Sequence, residues 1–431
     1  MTATTVRKRR PVPPPVEGNA GREAPRPQRR SGSSRLKDRQ PVPFHLTWVI
    51  TLVLLIIGMC MMLSVSTAVT GSDKLFYLRN QGITAVIGVG LLLLLSRMDY
   101  QALRKWSVLF LGAVIFSLLL VHVPGVAHVE GGARSYISVG PFTYQPSEFA
   151  KLAIVLLGAH VLTSPRVADG RLRSFMVPFG ASGALMCLLV VWEHDLGTAI
   201  IIAGLMLGML WMGGLKLKHL LLIGGTGLAA TAGLILSSGE RMSRILAVFS
   251  PSSDPNGSNW QLSQSLVALG RGGWFGVGPG QSIQKYQYLP KARSDMIFAI
   301  LGEEFGLIGA GLVILLFVLF AVVVWRLARR CDEPLGKLLL AGCGMLITLE
   351  AVVNIGGVIG ALPLTGVPLP FISYGRNALL VMLAAVGLIL AVCRRASGVA
   401  APSQEERYEN VTHIDRRRWD GRARGARAGA R

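Results

Sequence analysis

The sequence is poor in charged residues and in cysteine. Charged residues are only 16% of the 431 residues, hydrophobic residues are 51%, and the mean hydropathy is +0.50, whereas soluble proteins carry about 25% charged residues. The five cysteines are irregularly spaced without a C-x-x-C pair, which excludes a disulfide framework and a cysteine metal cluster. Because the apolar residues occur in blocks of about twenty, the composition predicts one integral membrane domain.

Sequence signals of several other protein classes are also missing. The first apolar stretch begins only near Leu46 and lacks a convincing small-residue cleavage site, so it is not a signal peptide. Gly276, Gly278 and Gly280 resemble a nucleotide loop, but no strand precedes them and no Gly-Lys-Ser/Thr follows, which argues against nucleotide binding. His194 has no second histidine or cysteine at ligand spacing, so it does not indicate a metal centre.

The net charge of +21 is concentrated in the two tails. Residues 1–44 hold eleven Lys/Arg and three acids, and residues 394–431 hold ten and five, so the tails carry 13 of the net charge. Such tails bind nucleic acid in some proteins, but beside a membrane domain they more often stay in the cytoplasm and touch anionic lipid. We therefore predict a disordered N-terminal tail, a membrane domain over residues 45–393 and a basic C-terminal tail.

Ten apolar blocks are long enough to cross a bilayer. Lys and Arg occur in every second loop, on the same side as both tails, which places both termini in the cytoplasm. Backbone in lipid must bond internally, so the predicted fold is an all-α bundle of ten transmembrane helices, with a large extracytoplasmic loop at 238–294 between helices 7 and 8. The blocks are centred near residues 47–68, 80–96, 106–123, 147–163, 174–191, 196–213, 218–237, 296–325, 336–360 and 374–393.

Polar residues near or within these blocks are candidate site residues, because a charge in the membrane is costly. Glu148 and Lys151 are three residues apart on one helix face, so they form either a structural ion pair or the polar wall of a cavity. Asp195 follows the fifth block and is a solvated residue, a helix cap or part of a site.

Three more acids lie deeper in the predicted spans. Glu303 and Glu304 follow Asp295 by eight and nine residues, about 12 Å along a helix. Adjacent helical residues point about 100° apart, so at least one of the two glutamates faces a polar interior. Glu350 is a further buried-acid candidate, for which the sequence names no partner.

Asp295 lies at the end of the long predicted loop. Ser294 is a candidate N-cap, which places Asp295 in the first turn of the eighth helix, where the carboxylate either caps the helix or serves a site. Lys285, Lys291 and Arg293 lie within ten residues, so the segment suits an anionic lipid head group. The cations and the helix dipole lower the pKa of a carboxylate, so a role as a base requires an opposing desolvation.

Five segments, in this order on a ten-span chain, resemble the shape, elongation, division and sporulation (SEDS) family of membrane glycosyltransferases. The resemblance covers about 345 residues from the first span to the last. The Gln284-Lys285-x-x-Tyr288-Leu-Pro290 run favours the FtsW branch over RodA. The segments are Gly132-Ala-Arg134 with Gln145-Pro-Ser-Glu148-Phe-Ala-Lys151; Asp195-Leu-Gly-Thr198; Gln284-Lys285 with Tyr288-Leu-Pro290; Ser294-Asp295-Met-Ile-Phe-Ala299 with Gly302-Glu-Glu304; and Asn354-Ile-Gly356 with Leu369-Pro-Phe-Ile-Ser373-Tyr-Gly375.

The resemblance implies polymerisation of lipid II, the undecaprenyl-diphosphate-linked disaccharide pentapeptide, into peptidoglycan at the outer face of the bacterial cytoplasmic membrane during division. Asp295 matches the family's essential acid and is the implied general base. The diphosphate leaving group needs cations. The implied substrate-binding candidates are Arg134, Lys285, Lys291 and Arg293 as cations, and Glu148, Lys151, Asp195 and Glu304 as residues that line or brace the cavity.

The resemblance also implies partners. A class B penicillin-binding transpeptidase would cross-link the new strand, and other division proteins would join the assembly. A divalent cation, Mg²⁺ or Mn²⁺, is an expected aid to the leaving group, although no dedicated ligand cluster is readable. A lipid II flippase and a non-catalytic division scaffold are the alternative functions.

The chain departs from the family pattern at three places. The usual His-Thr-Asp-Phe is Arg293-Ser-Asp-Met296, and the common Ser-Tyr-Gly-Gly-Ser continues here with Arg376 and Asn377. Glu350 stands where a glutamine or an apolar residue is typical. These departures leave open the alternative that the chain is a specialised or less active paralogue of the family.

Overall fold

A computed structural model of the chain describes residues 42–68, 75–123, 127–130, 133–140, 142–167, 172–249, 259–286 and 288–396. The predicted N-terminal tail and most of the predicted C-terminal tail lie outside these residues. The helices of the described part are α1 (Val42–Ser66), α2 (Phe76–Arg97), α3 (Leu103–Val121), α4 (Pro146–Leu162), α5 (Leu172–Phe175), α6 (Ala181–Trp192), α7 (Leu196–Met212), α8 (Leu217–Leu236), α9 (Gly239–Phe249), α10 (Trp260–Gly272), α11 (Ile297–Arg330), α12 (Pro334–Val358) and α13 (Arg376–Ala396).

Eight candidate spans in the described residues are long and apolar enough to cross a membrane. One of them, Leu172–Trp192, combines α5 and α6 through a π-helical turn at Met176–Gly180. The predicted blocks at 147–163 and 196–213 form α4 and α7, which are helical but only 17 residues long. The structure therefore supports eight of the ten predicted spans by length and composition.

The centre of the bundle contains α4, α7, α12 and α13. Most residues of α4 and nearly all of α13 are buried, whereas α8 has no buried residue. Small residues allow close helix approach where lipid gives no hydrophobic driving force. At Gly387 of α13, for example, an added Cβ would lie 2.8 Å from the carbonyl oxygen of Leu92 in α2.

The all-α prediction is wrong at one place, because the segment before α4 forms a small antiparallel sheet. Its strands are β1 (Ala127–Glu130), β2 (Ala133–Val139) and β3 (Phe142–Tyr144), in the order β1-β2-β3. Thr143 of β3 binds α13 through both of its oxygens: Arg376 Nη2 donates to its hydroxyl at 2.8 Å, and Asn377 Nδ2 donates to its carbonyl at 3.1 Å. The two departures from the family motif therefore attach this sheet to α13.

The described part of the predicted 238–294 loop contains two helices, α9 and α10. The weakly amphipathic sequence of residues 261–269 allows a short interfacial helix, and these residues lie within α10, whereas α9 was not predicted. Gly272 at the end of α10 packs against α11, since an added Cβ there would lie 2.0 Å from the Gly302 carbonyl oxygen. The segment is thus packed against the bundle along the first turns of α11.

A break divides α11 at Gly306, whose φ is 67°. The segment after α10 supplies the missing backbone partners: the N–H of Leu307 donates to the Gly273 carbonyl at 2.8 Å, and the Glu303 carbonyl accepts from the Val277 N–H at 3.0 Å. A broken helix in an apolar surrounding requires such replacement bonds. Only glycine fits at the break, since an added Cβ would lie 2.4 Å from the Gly276 nitrogen.

Candidate active site

Asp295 lies in a tight turn immediately before α11. The Lys291 carbonyl accepts hydrogen bonds from the N–H groups of Ser294 at 3.0 Å and Met296 at 3.3 Å. Met296 is the N-cap and makes no side-chain cap bond, so the predicted Ser294 cap is wrong and Asp295 precedes the helix. The reason is that Lys291 has a φ of 52°, which folds the chain into a turn before the helix can start.

The Asp295 carboxylate lines a small pocket that is partly open to the outside and has a cavity volume of about 30 Å³. This volume is far below the roughly 300–1,000 Å³ of small-molecule sites, so the pocket in this conformation has room for little more than water. Four elements contribute to it: α9, α10, the Asp295 turn with the start of α11, and α12 with the loop that follows. The lining residues are Arg244, Gln261, Lys291, Asp295, Met296, Val353, Asn354, Gly357, Leu364, Thr365, Gly366 and Val367.

Two neighbours fix the position of Asp295. The amide of Asn354 donates to the carbonyl oxygens of Asp295 and Val367, each at 2.8 Å, so α12 holds the turn and the opposite loop together. Gly366 faces the carboxylate with a φ of 74°, and an added Cβ would lie 3.6 Å from Asp295 Oδ2. Glycine therefore meets a backbone requirement and keeps this wall of the pocket open.

Burial and charge act in opposite directions on Asp295. Desolvation raises the pKa of this carboxyl, while Lys291 and a hydrogen bond from Ser294 lower it, and the net shift is upward. The Lys291 ammonium lies 3.5 Å from Asp295 Oδ2, and the lysine side chain is 52% exposed, so water weakens its effect. The desolvation that a base requires at this position is therefore present.

Lys285 and Glu304 belong to a separate buried network. The Lys285 ammonium donates to the Gly280 carbonyl at 2.7 Å, to the Ser64 hydroxyl at 3.0 Å and to Glu304 Oε1 at 3.2 Å. Neither side chain lines the Asp295 pocket. The network joins the end of α1, the glycine-rich segment 273–285 that follows α10, and α11. It therefore braces the fold around the break in α11.

Glu303 is also buried and serves the same segment. Its carboxylate accepts from the Ser282 hydroxyl and, at 3.1 Å, from the Ile283 N–H, and it pairs with Arg271 at 3.5 Å. At least one of the two acids was predicted to face a polar interior, and this is confirmed for both. The side chains of Glu303 and Glu304 point in different directions, and each finds polar partners in the segment 282–285.

The predicted pair between Glu148 and Lys151 is confirmed, with the ammonium 2.8 Å from Glu148 Oε2. Lys151 also binds Glu350 of α12, which is the partner that the sequence did not identify. All three side chains are almost fully buried. Glu350 lies four residues, about 6 Å, before Asn354 on the same helix, so the triad lies one turn from the Asp295 pocket.

Asp195 caps α7, as one of its sequence interpretations expected, since Oδ1 accepts from the Thr198 N–H at 2.9 Å. The next turn packs on the pocket loop, because a Cβ added at Gly197 would lie 2.3 Å from the Thr365 carbonyl oxygen. Beside this cap, Glu193 is buried with no hydrogen-bond partner among the described residues, and burial, with a smaller contribution from Asp195, raises the pKa of its carboxyl to about 9.

Two predicted cations are placed differently from Lys291. The Arg293 guanidinium stacks on the Tyr77 ring at 4.7 Å and does not line the pocket, while its carbonyl accepts from the Tyr374 N–H at 2.9 Å. Arg134 pairs with Val129 in the sheet, but its side chain lies outside the described part.

Arg244 and Gln261 were missed by the sequence reasoning, although both line the pocket. Arg244 lies 51 residues before Asp295, outside the ten-residue segment that contains Lys285, Lys291 and Arg293. The strong amphipathic pattern of residues 239–249 was the available signal, because it marks a helix that must pack against the bundle.

The pocket residues that the structure describes do not by themselves form a site for a divalent cation. In the described part of the chain, no group of three or more His, Cys, Asp and Glu side chains is arranged to hold a metal ion. Asp295 is the one carboxylate among the described lining residues and stands with Lys291 and Arg244, whereas Mg²⁺ prefers several oxygen ligands.

Comparison with known proteins identifies the family. A family model described as a cell cycle protein, covering FtsW, RodA and SpoVE, matches residues 44–398. This chain belongs to the FtsW/RodA/SpoVE family. Stage V sporulation protein E of Bacillus subtilis is 39% identical over 82% of this chain and 97% of the relative. A probable peptidoglycan glycosyltransferase FtsW of Geobacter sp. (strain M18) is 35% identical over 82% and 97%.

Solved structures of this family share the fold. A chain from a peptidoglycan synthase complex, whose study concerns structural coordination of polymerization and crosslinking, is 25% identical, covers 82% of this chain and 97% of its own, and has a TM-score of 0.66. The rod shape determining protein RodA of Thermus thermophilus is 24% identical, with 81% and 95% coverage and a TM-score of 0.59. With its apolar helices, this family member is a multi-pass membrane protein.

Proposed function

We propose that this chain is a peptidoglycan glycosyltransferase that polymerises lipid II, with Asp295 as general base. The observation that carries the proposal is the Asp295 carboxylate, only 12% exposed in a pocket, with a raised pKa and a cation 3.5 Å away. Relatives named as probable peptidoglycan glycosyltransferases, at 33 to 38% identity, support the same reaction class.

In the proposed reaction, Asp295 accepts the proton of the acceptor sugar hydroxyl as that oxygen bonds to the anomeric carbon of the donor sugar. The bond between this carbon and the lipid diphosphate breaks, and the diphosphate leaves with the bonding electron pair. Lys291 lies beside the carboxylate and offsets the developing negative charge. The products are a longer glycan, the free lipid diphosphate and a protonated Asp295, which returns its proton to water.

The membrane arrangement is part of this proposal. We propose that α4 and α7 also cross the membrane, which gives ten spans, because both are central helices whose polar residues pack within the bundle. With both termini cytoplasmic, as the Lys/Arg distribution indicates, Asp295 lies at the outer face. Lipid II would then react where its disaccharide is displayed.

A class B penicillin-binding transpeptidase and other division proteins are the proposed partners. A similar chain occurs in a peptidoglycan synthase complex studied for polymerization and crosslinking, which supports such a pairing. The similarity to a sporulation protein at 39% identity and to FtsW at 35% supports roles in sporulation and in division alike.

A lipid II flippase is the second candidate, favoured by the buried triad of Glu148, Lys151 and Glu350 in the bundle core. Charged groups inside a membrane protein often mark a transport pathway. The flippase differs from the polymerase in needing no base at residue 295.

The test uses purified protein, with and without a class B transpeptidase, and labelled lipid II. Wild-type protein should form glycan polymer, whereas Asp295→Asn should form none and still bind lipid II. Polymer from Asp295→Asn at the wild-type rate would refute the catalytic assignment. Asp99→Asn serves as the matched variant, because Asp99 is exposed, pairs with Arg395 and does not line the pocket.

A further inference from the structure

Three consecutive backbone carbonyls end at Asp295, and each accepts a hydrogen bond from a different residue. The Arg293 carbonyl accepts from the Tyr374 N–H at 2.9 Å, the Ser294 carbonyl from the Ser373 hydroxyl at 2.6 Å, and the Asp295 carbonyl from the Asn354 amide at 2.8 Å. Two of the three donors belong to the segment 369–374, which continues the loop of the pocket. This segment therefore holds the backbone immediately before the aspartate.

Ser373 is the central residue of this attachment. Its side chain is buried, and its hydroxyl accepts from the Leu369 N–H at 2.8 Å while it donates to the Ser294 carbonyl. A hydroxyl has one proton and two acceptor lone pairs, so it makes both bonds at once. Alanine at residue 373 would remove both bonds and release the Ser294 carbonyl from the segment.

The buried side chain of Gln81 in α2 holds the same segment from the opposite side. Its Nε2 donates to the Ser373 carbonyl at 3.0 Å, so α2, Ser373 and the Asp295 turn form one chain of hydrogen bonds. One helical turn before Gln81, the Tyr77 ring stacks on the Arg293 guanidinium at 4.7 Å. The outer end of α2 thus reaches the turn by two routes.

The segment 369–374 holds a strained conformation. Phe371 is buried and has a φ of 65°, which residues other than glycine rarely adopt. Such strain persists only where the surrounding structure determines it. Helix α1 supplies a close contact here, because a Cβ added at Gly58 would lie 2.3 Å from the Phe371 carbonyl oxygen. The packing therefore keeps the segment in the conformation from which Ser373 reaches the Asp295 turn.

We propose that Ser373 and Gln81 are positioning residues for Asp295 in the reaction proposed above. They hold the turn so that the carboxylate stays shielded from water beside Lys291. This assignment rests on the proposed function, because it identifies the residues that keep the base in place. A displacement of about 1 Å from the productive geometry can lower a rate by about 100-fold.

The first experiment measures kcat, KM and the pH profile of lipid II polymerisation by the full chain. Ser373→Ala should lower kcat by about 10-fold to 100-fold and leave KM unchanged. The acid limb of the profile should move to lower pH, because water that reaches the loosened Asp295 carboxylate lowers its pKa toward the ordinary value. Ser373→Thr keeps the hydroxyl and should restore both. A variant that is only less stable would lose active protein without moving the limb.

A second variant and a control test the chain of hydrogen bonds. Gln81→Leu should change kcat and the acid limb in the same directions, and adding it to Ser373→Ala should cause no further loss, because residues of one network are not additive. Ser107→Ala is the matched control: this buried serine bonds His160 Nδ1 at 2.7 Å between α3 and α4, and its loss should leave both readouts unchanged. An unmoved acid limb in Ser373→Ala and Gln81→Leu, losses that multiply in the double variant, or equal losses in Ser107→Ala would overturn the assignment.

An infrared titration separates this assignment from the proposed function. The carboxyl band of Asp295 is the band that Asp295→Asn lacks, and its pKa should be lower in Ser373→Ala than in wild type. A lowered pKa in a chain that makes no polymer would sustain the positioning role and reject the proposed reaction. Polymer from wild type, with the same Asp295 titration in wild type and Ser373→Ala, would overturn the positioning role alone.

Discussion

Replacing Lys285 by methionine removes the ammonium that neutralises Glu304 in the buried network beside the break in α11. The side chains of both residues are at most 1% exposed, and the ammonium makes three hydrogen bonds there. Loss of one partner of a buried ion pair costs about 3–5 kcal/mol, because the other charge stays buried without compensation. We expect Lys285→Met to lower the free energy of unfolding by this amount, measured by SDS titration in mixed micelles.

The double variant Lys285→Met/Glu304→Gln should recover most of this loss, because it leaves no unpaired charge. Arg395→Gln is the exposed control: the side chains of Arg395 and its partner Asp99 are 29% and 49% exposed, so loss of this pair should cost less than about 1 kcal/mol. The reasoning fails if Lys285→Met is as stable as wild type, or if the double variant is no better than the single one. A stable but inactive double variant would return Lys285 to the substrate-binding role that its sequence motif implied.

Three further predictions concern individual side chains. In the wild type, the pKa of Glu193 is about 9 in the folded state, so the folded chain keeps a proton that the unfolded chain loses, and the apparent Tm should fall as the pH rises from 5 to 9. Glu193→Gln should make this fall less steep. Equal pH dependence in the two proteins would contradict the buried carboxyl. Gly366→Ala should cost about 1–3 kcal/mol of stability through its positive φ and should lower kcat by crowding Asp295; an unchanged enzyme in both assays would refute this. Glu350→Gln should leave stability nearly unchanged, since Lys151 keeps its other carboxylate, whereas Lys151→Met should lose about 3–5 kcal/mol; equal losses in SDS titrations would argue against the triad.

Local features of this chain could be predicted from sequence because they depend on short spacings. The pair of Glu148 and Lys151 follows from the three-residue helix spacing, and the Asp195 cap follows from a short polar turn between two apolar blocks. The helical blocks themselves follow from the need to satisfy the backbone in lipid.

Contacts between distant segments could not be predicted in the same way. Glu350 meets Lys151 across 199 positions, and Arg244 reaches the pocket from a separate helix. Neither contact leaves a periodic signal, because it depends on how helices pack. The Ser294 cap was predicted wrongly for a local reason. Lys291 has a positive φ, and a lysine gives no sign of this in the sequence.

The small sheet was missed because its strands are short and lie between membrane helices. Its attachment to α13 gives Arg376 and Asn377 a structural role, in contacts with Thr143. Departures from a family motif are thus explained here by a partner far along the chain.

The most direct test of Asp295 as the base is the pH dependence of the polymerisation rate at saturating lipid II. Lys291 lowers the pKa of Asp295, although the net shift is upward. Lys291→Gln should therefore raise that pKa further and move the acid limb of the rate profile to higher pH, because the ionised carboxylate is the active form. An acid limb that stays in place or moves to lower pH in Lys291→Gln would contradict a catalytic carboxylate at residue 295.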